Sequence, residues 1–273
     1  HDLWYATNAG GSWATELIDS AGNCGYYGSI VIDSQGKAHV SYYDATNMDL
    51  RYANNVNGDW EAVTVAGASG DVGQYTSIAV DSNDNVHISF YDQTNGKISY
   101  ANNTGGTFQT TTLTSLTSVG WYTSIGVDPS DHVHIAYFDY TNNDLKYMTN
   151  DADYWRVSFV DWVGDVGRSA SMAVDSNGDP HIVYIDSNNS VLKYATSTSW
   201  KKQRTQHRGT SGCRGISRPG SMIASRSSSN SRILAMGVCR SFVGQGRIRP
   251  GARRPPGRKT LLVLRLLTSR RTT

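Results

Sequence analysis

The sequence predicts an all-β fold, a β-propeller built from four-stranded blades of about 47 residues, and three observations lead to this prediction. The first is an internal repeat, because the same residue types return every 47 or 48 positions within residues 1–200. The second is the presence, in each repeat, of four short runs rich in Ile, Val, Tyr, Phe and Thr. The third is the lack of helical periodicity in this region. A period of this length indicates one supersecondary unit stacked on copies of itself.

Three positions carry the repeat most clearly: a serine, a histidine and an aspartate. They are Ser29, Ser77, Ser124 and Ser171; His39, His87, His134 and His181; and Asp44, Asp92, Asp139 and Asp186. In the second repeat the predicted strands are 77–81 (SIAVD), 87–92 (HISFYD), 97–102 (KISYAN) and 107–113 (TFQTTTL). Asn, Asp and Gly between the first two runs favour a tight hairpin turn. An aromatic residue opens each outer strand and is predicted to anchor it between blades, at Trp13, Trp60, Phe108 and Trp155.

These runs divide the chain into a propeller region, residues 1–200, and a tail, residues 201–273. The propeller region is predicted to contain a partial blade at 1–18 and blades at 26–65, 74–113, 121–160 and 168–200, the last without its outer strand. Residues 1–6 (HDLWYA) align with 48–53 (MDLRYA), so the chain begins in mid-repeat. We therefore expect a fragment of a longer protein and an incomplete propeller, since closed propellers have four to eight blades.

The tail differs abruptly in charge, because all 23 acidic residues precede it while 18 of the 25 Lys and Arg lie in it. A basic arm of this kind would bind nucleic acid by neutralising phosphates. The interpretation we favour is translation in another reading frame, since a one-base shift turns many Asp codons of a GC-rich gene into Arg codons. We then expect no nucleic-acid partner. A segment with a single aromatic residue, Phe242, is expected to be disordered. Its apolar run 260–267 is too short to span a membrane.

The run 78–88 (IAVDSNDNVHI), followed by 92–98 (DQTNGKI), resembles the repeats of NHL-like propellers and the BNR-like repeats of secreted and surface prokaryotic proteins. The resemblance covers residues 1–200. The period is longer than that of NHL repeats, and the Asp-box order of sialidases (Ser-x-Asp-x-Gly-x-x-Trp) does not occur. The resemblance implies a binding scaffold more often than an enzyme, located outside the cell or at its surface.

Two metal hypotheses arise from the repeat. A ring of four histidines would suit zinc, but a hydrogen bond within each blade explains one histidine per repeat better. The segments 81–85 (DSNDN) and 175–179 (DSNGD) imitate the start of a calcium loop, yet they lack the later Gly and Glu of an EF-hand. A hairpin turn explains them without metal, so we predict no cofactor and keep calcium as a hypothesis.

Enzymatic chemistry finds little support in the residue types. A sialidase-like site needs an Arg cluster, and only Arg51, Arg156 and Arg168 precede the tail. The two glutamates, Glu16 and Glu61, fall on outer strands, which is poor placement for a glycosidase pair. The alternative that stays open is a fragment of a propeller-fold glycoside hydrolase or lyase whose catalytic residues lie elsewhere.

The repeats differ most in the segment that enters each innermost strand, where aromatic and polar residues alternate between copies. In propellers this segment shares a face with the loop after the second strand, and exposed aromatic rings there can stack on sugars. We therefore predict non-catalytic binding of a glycan or protein through Tyr26, Tyr27, Tyr75, Trp121, Tyr122, Tyr140, Trp162 and Arg168. The alternative is that these side chains only pack between blades.

Overall fold

The structure, a computed structural model, describes residues 1–67, 70–114, 119–152, 154–197 and 199–200. These residues contain seventeen β-strands, each antiparallel to its neighbours in the sheet. The strands are β1 (Leu3–Thr7), β2 (Ala14–Asp19), β3 (Tyr26–Ile32), β4 (Ala38–Asp44), β5 (Asp49–Asn54), β6 (Glu61–Ala66), β7 (Val72–Val80), β8 (Val86–Asp92), β9 (Lys97–Asn102), β10 (Gln109–Thr112), β11 (Val119–Val127), β12 (Val133–Asp139), β13 (Asp144–Thr149), β14 (Arg156–Asp161), β15 (Val166–Val174), β16 (Pro180–Asp186) and β17 (Val191–Thr196).

The strands form five sheets in chain order: β1–β2, β3–β6, β7–β10, β11–β14 and β15–β17. Within each sheet, consecutive strands are neighbours. The first strands of successive four- and three-stranded sheets (β3, β7, β11 and β15) contact one another, which places them nearest a common axis. This arrangement confirms the all-β prediction and the propeller-like stacking of four-stranded units. The tail lies outside the described residues, so the domain boundary at residue 200 stays a prediction.

The second strand of each four-stranded sheet is buried along its whole length, because neighbouring sheets cover both of its faces. Strands β4, β8 and β12 have no residue that is even partly exposed, whereas β16 in the last sheet alternates between buried and exposed positions. Burial on both faces explains why these strands carry large apolar residues in succession rather than in alternation. The core therefore consists of the layers between sheets.

Aromatic pairs connect the outer part of each sheet to the sheet before it. The ring centroids lie 5.0–5.3 Å apart in Tyr5–Trp60, Tyr52–Phe108, Tyr100–Trp155 and Tyr147–Trp200. These inter-sheet aromatic pairs confirm the predicted anchoring role of Trp60, Phe108 and Trp155. Trp13 is 57% exposed, and the described residues contain no sheet before its own, so its anchoring role stays a prediction.

Each repeated histidine is held inside its own sheet. In the second four-stranded sheet, His87 Nε2 lies 3.2 Å from Asp81 Oδ2 and its Nδ1 lies 2.5 Å from the Tyr100 hydroxyl. The tautomer that satisfies both contacts donates from Nε2–H to the carboxylate and accepts the tyrosine proton at Nδ1. The same trio of hydrogen-bonded residues recurs at Asp33–His39–Tyr52 and Asp175–His181–Tyr194. In the third sheet His134 Nδ1 contacts the Tyr147 hydroxyl in the same way, while its Nε2 lies 3.2 Å from Asp128 without hydrogen-bond geometry. The expectation of a hydrogen bond within each blade is confirmed.

No helix of the described residues is both long and apolar enough to cross a bilayer.

Candidate functional site

Each innermost strand begins with an irregularity that the sequence did not reveal. The pairing register of β7 with β8 shifts between Gln74 and Ser77, and β3, β11 and β15 shift at the same place. The residues predicted to lie in an entering loop therefore belong to the strands themselves, which corrects that expectation. A bulge leaves its extra residue unpaired, bends the strand and redirects side chains.

The second residue of every bulge has a left-handed backbone. Its φ is 54° at Tyr27, 53° at Tyr75, 52° at Tyr122 and 51° at Ser169. A residue with a Cβ atom loses about 1–2 kcal/mol in this conformation, which is why glycine usually occupies it. Tyrosine nevertheless occupies this position in three successive repeats. Such strain often accompanies a binding or catalytic surface.

The strained tyrosines form a row of tilted ring contacts, which two further rings extend. Ring centroids are 4.7 Å apart for Tyr27–Tyr75 and 4.8 Å apart for Tyr75–Tyr122. Trp121 stacks on Tyr75 at 5.8 Å and on Tyr140 at 4.5 Å. We call these five residues the aromatic ladder. Tyr27 and Tyr140 are 43% and 47% exposed, so the ladder reaches solvent at both of these rings.

A second row of rings, which the sequence analysis missed, supports the ladder from the second strands. Tyr43 lies 6.2 Å from Tyr27, Tyr91 lies 6.3 Å from Tyr75, and Phe138 lies 6.3 Å from Tyr122. These supporting rings are buried, and each immediately precedes the repeated aspartate of its strand. That shared position is the signal by which they could have been found.

Polar groups border the ladder. Arg168 donates to Asp165 at 3.0 Å and lies over the Phe138 ring, 4.8 Å from its centre. The hydrogen bond to Asp165 raises the pKa of Arg168, so the guanidinium stays charged. On the other side, Gln74 Nε2 donates to both oxygens of Asp71 at 3.1 Å. The site thus offers a cation, an amide and carboxylates beside an apolar surface.

Two tyrosine hydroxyls, that of Tyr75 in the ladder and that of Tyr43 in its supporting row, are neutral over the physiological pH range. Burial, together with the neighbouring Tyr27 and Tyr122, raises the pKa of Tyr75 to about 12. Burial, together with the hydrogen bond to Asp71 (2.9 Å), raises the pKa of Tyr43 to about 12. These hydroxyls are therefore hydrogen-bond donors and not nucleophiles.

Two of the predicted site residues lie beside other partners. Tyr26 packs edge-on against His1, with 5.5 Å between ring centroids, and Trp162 packs edge-on against Phe159 at 6.3 Å. Tyr27, Tyr75, Trp121, Tyr122 and Tyr140 come together, with Arg168 at their border.

The arginines of the propeller region serve separate ion pairs. Arg51 pairs with Asp19 at 3.4 Å, Arg156 with Asp151, and Arg168 with Asp165. The described residues therefore bring no three arginines together, as an Arg-lined carboxylate site would require. Glu16 accepts a hydrogen bond from Trp60 Nε1 at 2.9 Å and so supports an inter-sheet aromatic pair.

One pair of carboxylates has pKa values that are pushed apart, a pattern found in acid–base catalysis. Burial raises the pKa of Asp144. Burial also acts to raise the pKa of Asp139, but hydrogen bonds from Lys146 and Asn142 outweigh it and lower the pKa. The two aspartates are 7% and 0% exposed, so a substrate has no access to them. Asp139 instead caps its turn, accepting from the Asn142 amide N–H at 3.2 Å and from Asn142 Nδ2 at 2.8 Å.

An acidic cleft of about 400 Å³ lies at the other ends of the inner strands, where they turn into the second strands. Its carboxylates are already engaged: Asp81 accepts from the backbone of Asn83 and Asn85 at 2.9 Å, and Asp131 accepts from Ser82 at 2.7–2.8 Å. The segments that imitate a calcium loop are thus hairpin turns. Throughout the described ranges, no three His, Cys, Asp or Glu side chains are grouped so that they could hold a metal ion.

No protein-family model matches the chain, and no curated protein matches its sequence. Among solved structures it is similar to the leech intramolecular trans-sialidase complexed with 2,7-anhydro-Neu5Ac, at 17% identity and a TM-score of 0.53, over 74% of this chain and 37% of that one. A Dyadobacter fermentans protein of unknown function has 12% identity and a TM-score of 0.49, over 63% of this chain and 52% of that one. The NanB sialidase of Streptococcus pneumoniae has 12% identity and a TM-score of 0.45, over 69% of this chain and 33% of that one.

The fold of this chain is similar to that of the leech trans-sialidase. Identities this low show the fold alone, because unrelated functions share such scaffolds. The chain spans 37% of the leech enzyme's length. The finer resemblance to NHL or BNR repeats stays a prediction.

Proposed function

We propose that the protein binds a glycan on the aromatic ladder without acting on it chemically. The observation that carries this proposal is the row of ring contacts that joins Tyr27, Tyr75 and Tyr122 across three successive sheets. Packing between sheets does not require tyrosine at a left-handed position, and the fourth repeat has Ser169 there. A continuous row of rings offers the flat apolar surface on which the C–H faces of sugars stack.

The border of the ladder supports the same proposal. Arg168, Gln74 and Asp71 place donors and acceptors next to the rings, as a polyhydroxylated ligand needs. The Nε1–H group of Trp121 is buried and donates to no partner among the described residues, so a ligand oxygen that reached it would satisfy this donor. A protein ligand is the other class that such a surface could take, and it is an outcome of the binding test.

A glycoside hydrolase of propeller fold is the second candidate, and the likeness to the leech trans-sialidase favours it. Against it stand the separate ion pairs of Arg51, Arg156 and Arg168 and the burial of the Asp139–Asp144 pair. Release of sugar from a glycan that the protein binds would favour the hydrolase. Binding without release would favour the scaffold.

We also propose that the protein works outside the cell or at its surface. The propeller region is strongly acidic, rich in Asn, Thr and Tyr, and has a single cysteine, Cys24. Fractionation of the producing cells tests this location, and recovery of the protein only from the cytoplasm would contradict it.

A glycan array followed by calorimetry tests the binding proposal. Trp121→Ala removes the ring that bridges Tyr75 and Tyr140. An aromatic contact contributes about 0.5–1.5 kcal/mol beyond its buried area, so we expect the dissociation constant to rise by about 2-fold to 12-fold from this contribution alone. Tyr140→Ala should weaken binding as well.

Tyr154→Ala is the matched control, since Tyr154 is 64% exposed and Tyr140 is 47% exposed. It should bind like the unchanged protein. If Trp121→Ala and Tyr140→Ala also bind like the unchanged protein, while circular dichroism shows that both are folded, the ladder is not the binding surface.

A further inference from the structure

The ladder is bordered by an amide group whose orientation the structure fixes. Gln74, which directly precedes Tyr75 in β7, places its Nε2 atom 3.1 Å from both carboxylate oxygens of Asp71. A carboxylate only accepts hydrogen bonds, so the NH₂ group of the amide faces Asp71 and the amide oxygen faces away from it. The opposite orientation would set two acceptors against each other. Gln74 therefore presents its Oε1 atom as an acceptor beside the ladder.

Asp71 is itself held by several hydrogen bonds, so it is a firm support for the amide. The Tyr43 hydroxyl donates to Asp71 Oδ1 at 2.9 Å, and the backbone N–H of Asp71 donates to Thr94 Oγ1 at 2.7 Å. The backbone N–H groups of Gln93 and Thr94 donate to the carbonyl oxygen of Asp71 at 2.9 and 3.2 Å. These contacts come from two neighbouring sheets, β3–β6 and β7–β10. A group that is already ordered in this way loses little freedom when a ligand binds to it.

The Oε1 atom of Gln74 is accessible and has no hydrogen-bond partner among the described residues. Both hydrogen bonds of the Gln74 side chain are made by Nε2. Buried side-chain atoms that lack a partner occur in the described residues at Arg51, Trp121, His134 and Thr149, and Gln74 Oε1 is not one of them, so solvent reaches it. A hydroxyl group of a ligand can therefore reach this acceptor and donate to it.

The charges around the ladder disfavour an acidic ligand. Asp71 lies on one side of the ladder, and Arg168, the guanidinium on the other side, is paired with Asp165 at 3.0 Å. These three side chains together are net negative. Residues 1–200 also contain all 23 acidic residues of the chain and only seven of its 25 Lys and Arg. Like charges repel, so a carboxylated or sulfated glycan would lose affinity at this surface.

We propose that the ladder selects neutral glycans, and that Gln74 determines this specificity by accepting a hydrogen bond from one sugar hydroxyl. The proposal rests on the proposed binding of a glycan by the ladder. A hydroxyl can donate to Gln74 Oε1, whereas a carboxylate cannot and would also face the charge of Asp71. A site that hydrogen-bonds a particular hydroxyl discriminates against a ligand that lacks it, because the site's own polar group is then left without a partner.

A glycan array with matched pairs tests the ligand class on the full chain. N-acetyllactosamine is printed with and without a sialic acid cap, and xylo-oligosaccharides are printed with and without glucuronic acid branches. The unchanged protein should bind the neutral member of each pair that it recognises more tightly. Equal or tighter binding of the acidic members would overturn the proposal, and if Trp121→Ala abolished that binding, the proposed function would still stand. Binding of no glycan at all would overturn both.

Calorimetry tests the role of Gln74 with analogues of the best-bound neutral glycan, each of which lacks one hydroxyl. One deoxy analogue should bind the unchanged protein about 2-fold to 12-fold more weakly, the range expected for one neutral hydrogen bond. The analogue with fluorine at the same position should be equally weak, because fluorine cannot donate. Gln74→Met keeps the side-chain length but has no oxygen. It should bind the parent glycan more weakly by a similar factor and should no longer distinguish it from that deoxy analogue.

Gln109→Met is the matched control, since Gln109 is an exposed glutamine on the outer strand β10, and it should bind every analogue like the unchanged protein. Circular dichroism checks that both variants are folded. Equal affinity of the unchanged protein for all deoxy analogues would overturn the role of Gln74 without any variant. Unaltered affinity and discrimination in Gln74→Met would overturn it as well. A fluorinated analogue that restores the affinity would do the same, because the ligand would then accept and not donate. In these three outcomes a glycan still binds, so the proposed function is unaffected.

Discussion

Gly120 lies where an inner strand crosses closest to the sheet before it, and its replacement by alanine should destabilise that junction. A Cβ atom at Gly120 would lie 2.6 Å from the Cβ of Ile98 and 2.9 Å from its Cα. Carbon atoms in contact prefer about 3.5–4.0 Å, so β11 would have to move away by about 1 Å. Backbone and a buried β-branched side chain surround the site, and neither can give way easily.

Two separate costs contribute to the expected loss. The φ of Gly120 is 106°, and a residue with a Cβ atom in positive-φ space loses about 1–2 kcal/mol or more. Overpacking of a buried contact adds about 1–3 kcal/mol. We therefore expect Gly120→Ala to lower the free energy of unfolding by about 2–5 kcal/mol, a large part of the 5–15 kcal/mol typical of a domain.

Gly106→Ala separates the two costs. Its φ is 86°, but a Cβ atom there would meet nothing within 4 Å. It should therefore show only the backbone cost of about 1–2 kcal/mol. Urea unfolding followed by tryptophan fluorescence measures both variants, with equal slopes expected against denaturant. Equal losses for the two alanine variants would refute the close-packing argument, because the neighbour at Gly120 would then contribute nothing.

Two further predictions concern the histidine networks. Tyr100→Phe removes the donor to His87 Nδ1 and leaves a buried acceptor unsatisfied, so urea unfolding should show that the free energy of unfolding falls by about 1–3 kcal/mol. Tyr194→Phe, at the exposed counterpart, should lower it far less. Equal losses in the two variants would contradict the role of burial. Burial lowers the pKa of His87 and of His134 below 6.5, so the unfolded chain binds more protons than the folded one at acidic pH. The urea midpoint should therefore be constant above about pH 6.5 and fall as pH drops below it. The hydrogen bonds of Asp81 lower its pKa although burial acts to raise it. A second fall in the urea midpoint is therefore expected below pH 3.8, where protonation of Asp81 removes the stabilisation that these hydrogen bonds provide. A midpoint that is flat from pH 7 to 4 would contradict the histidine assignment.

Much of the fold could be predicted from the sequence because its determinants are local and repeated. Asp44 and Asn47 recur at the same spacing in four copies, and the structure shows the turn that this spacing predicts, with Asn47 Nδ2 donating to Asp44 at 2.8 Å. The histidine networks likewise depend on residues of one repeat. Trp13 shows the limit of this reasoning, because its burial depends on which sheet stands before it and not on its own repeat.

The candidate site was less predictable, because it depends on a change of strand register. Tyr26 and Tyr27 occupy the same two bulge positions as Trp121 and Tyr122. Both Trp121 and Tyr122 contact Tyr75 of the preceding sheet, whereas of the first pair only Tyr27 contacts Tyr75, and Tyr26 packs against His1. The sequence alone did not reveal these bulges, because their left-handed residue is a tyrosine and not a glycine.

The repeat explains why one surface of this scaffold can be specific while the rest stays uniform. Positions that close turns or satisfy buried groups keep the same residue in every copy, since each copy faces the same physical requirement. The bulge keeps its left-handed geometry even where Ser169 replaces tyrosine, so the backbone there is a requirement of the fold and the side chain is free to vary. Ser169 ends the row of strained rings, and Arg168 of the same repeat lies beside Tyr122. The ladder is thus apolar along three repeats and borders the Arg168–Asp165 ion pair at the fourth, a difference that would orient an extended ligand with a polar group at one end.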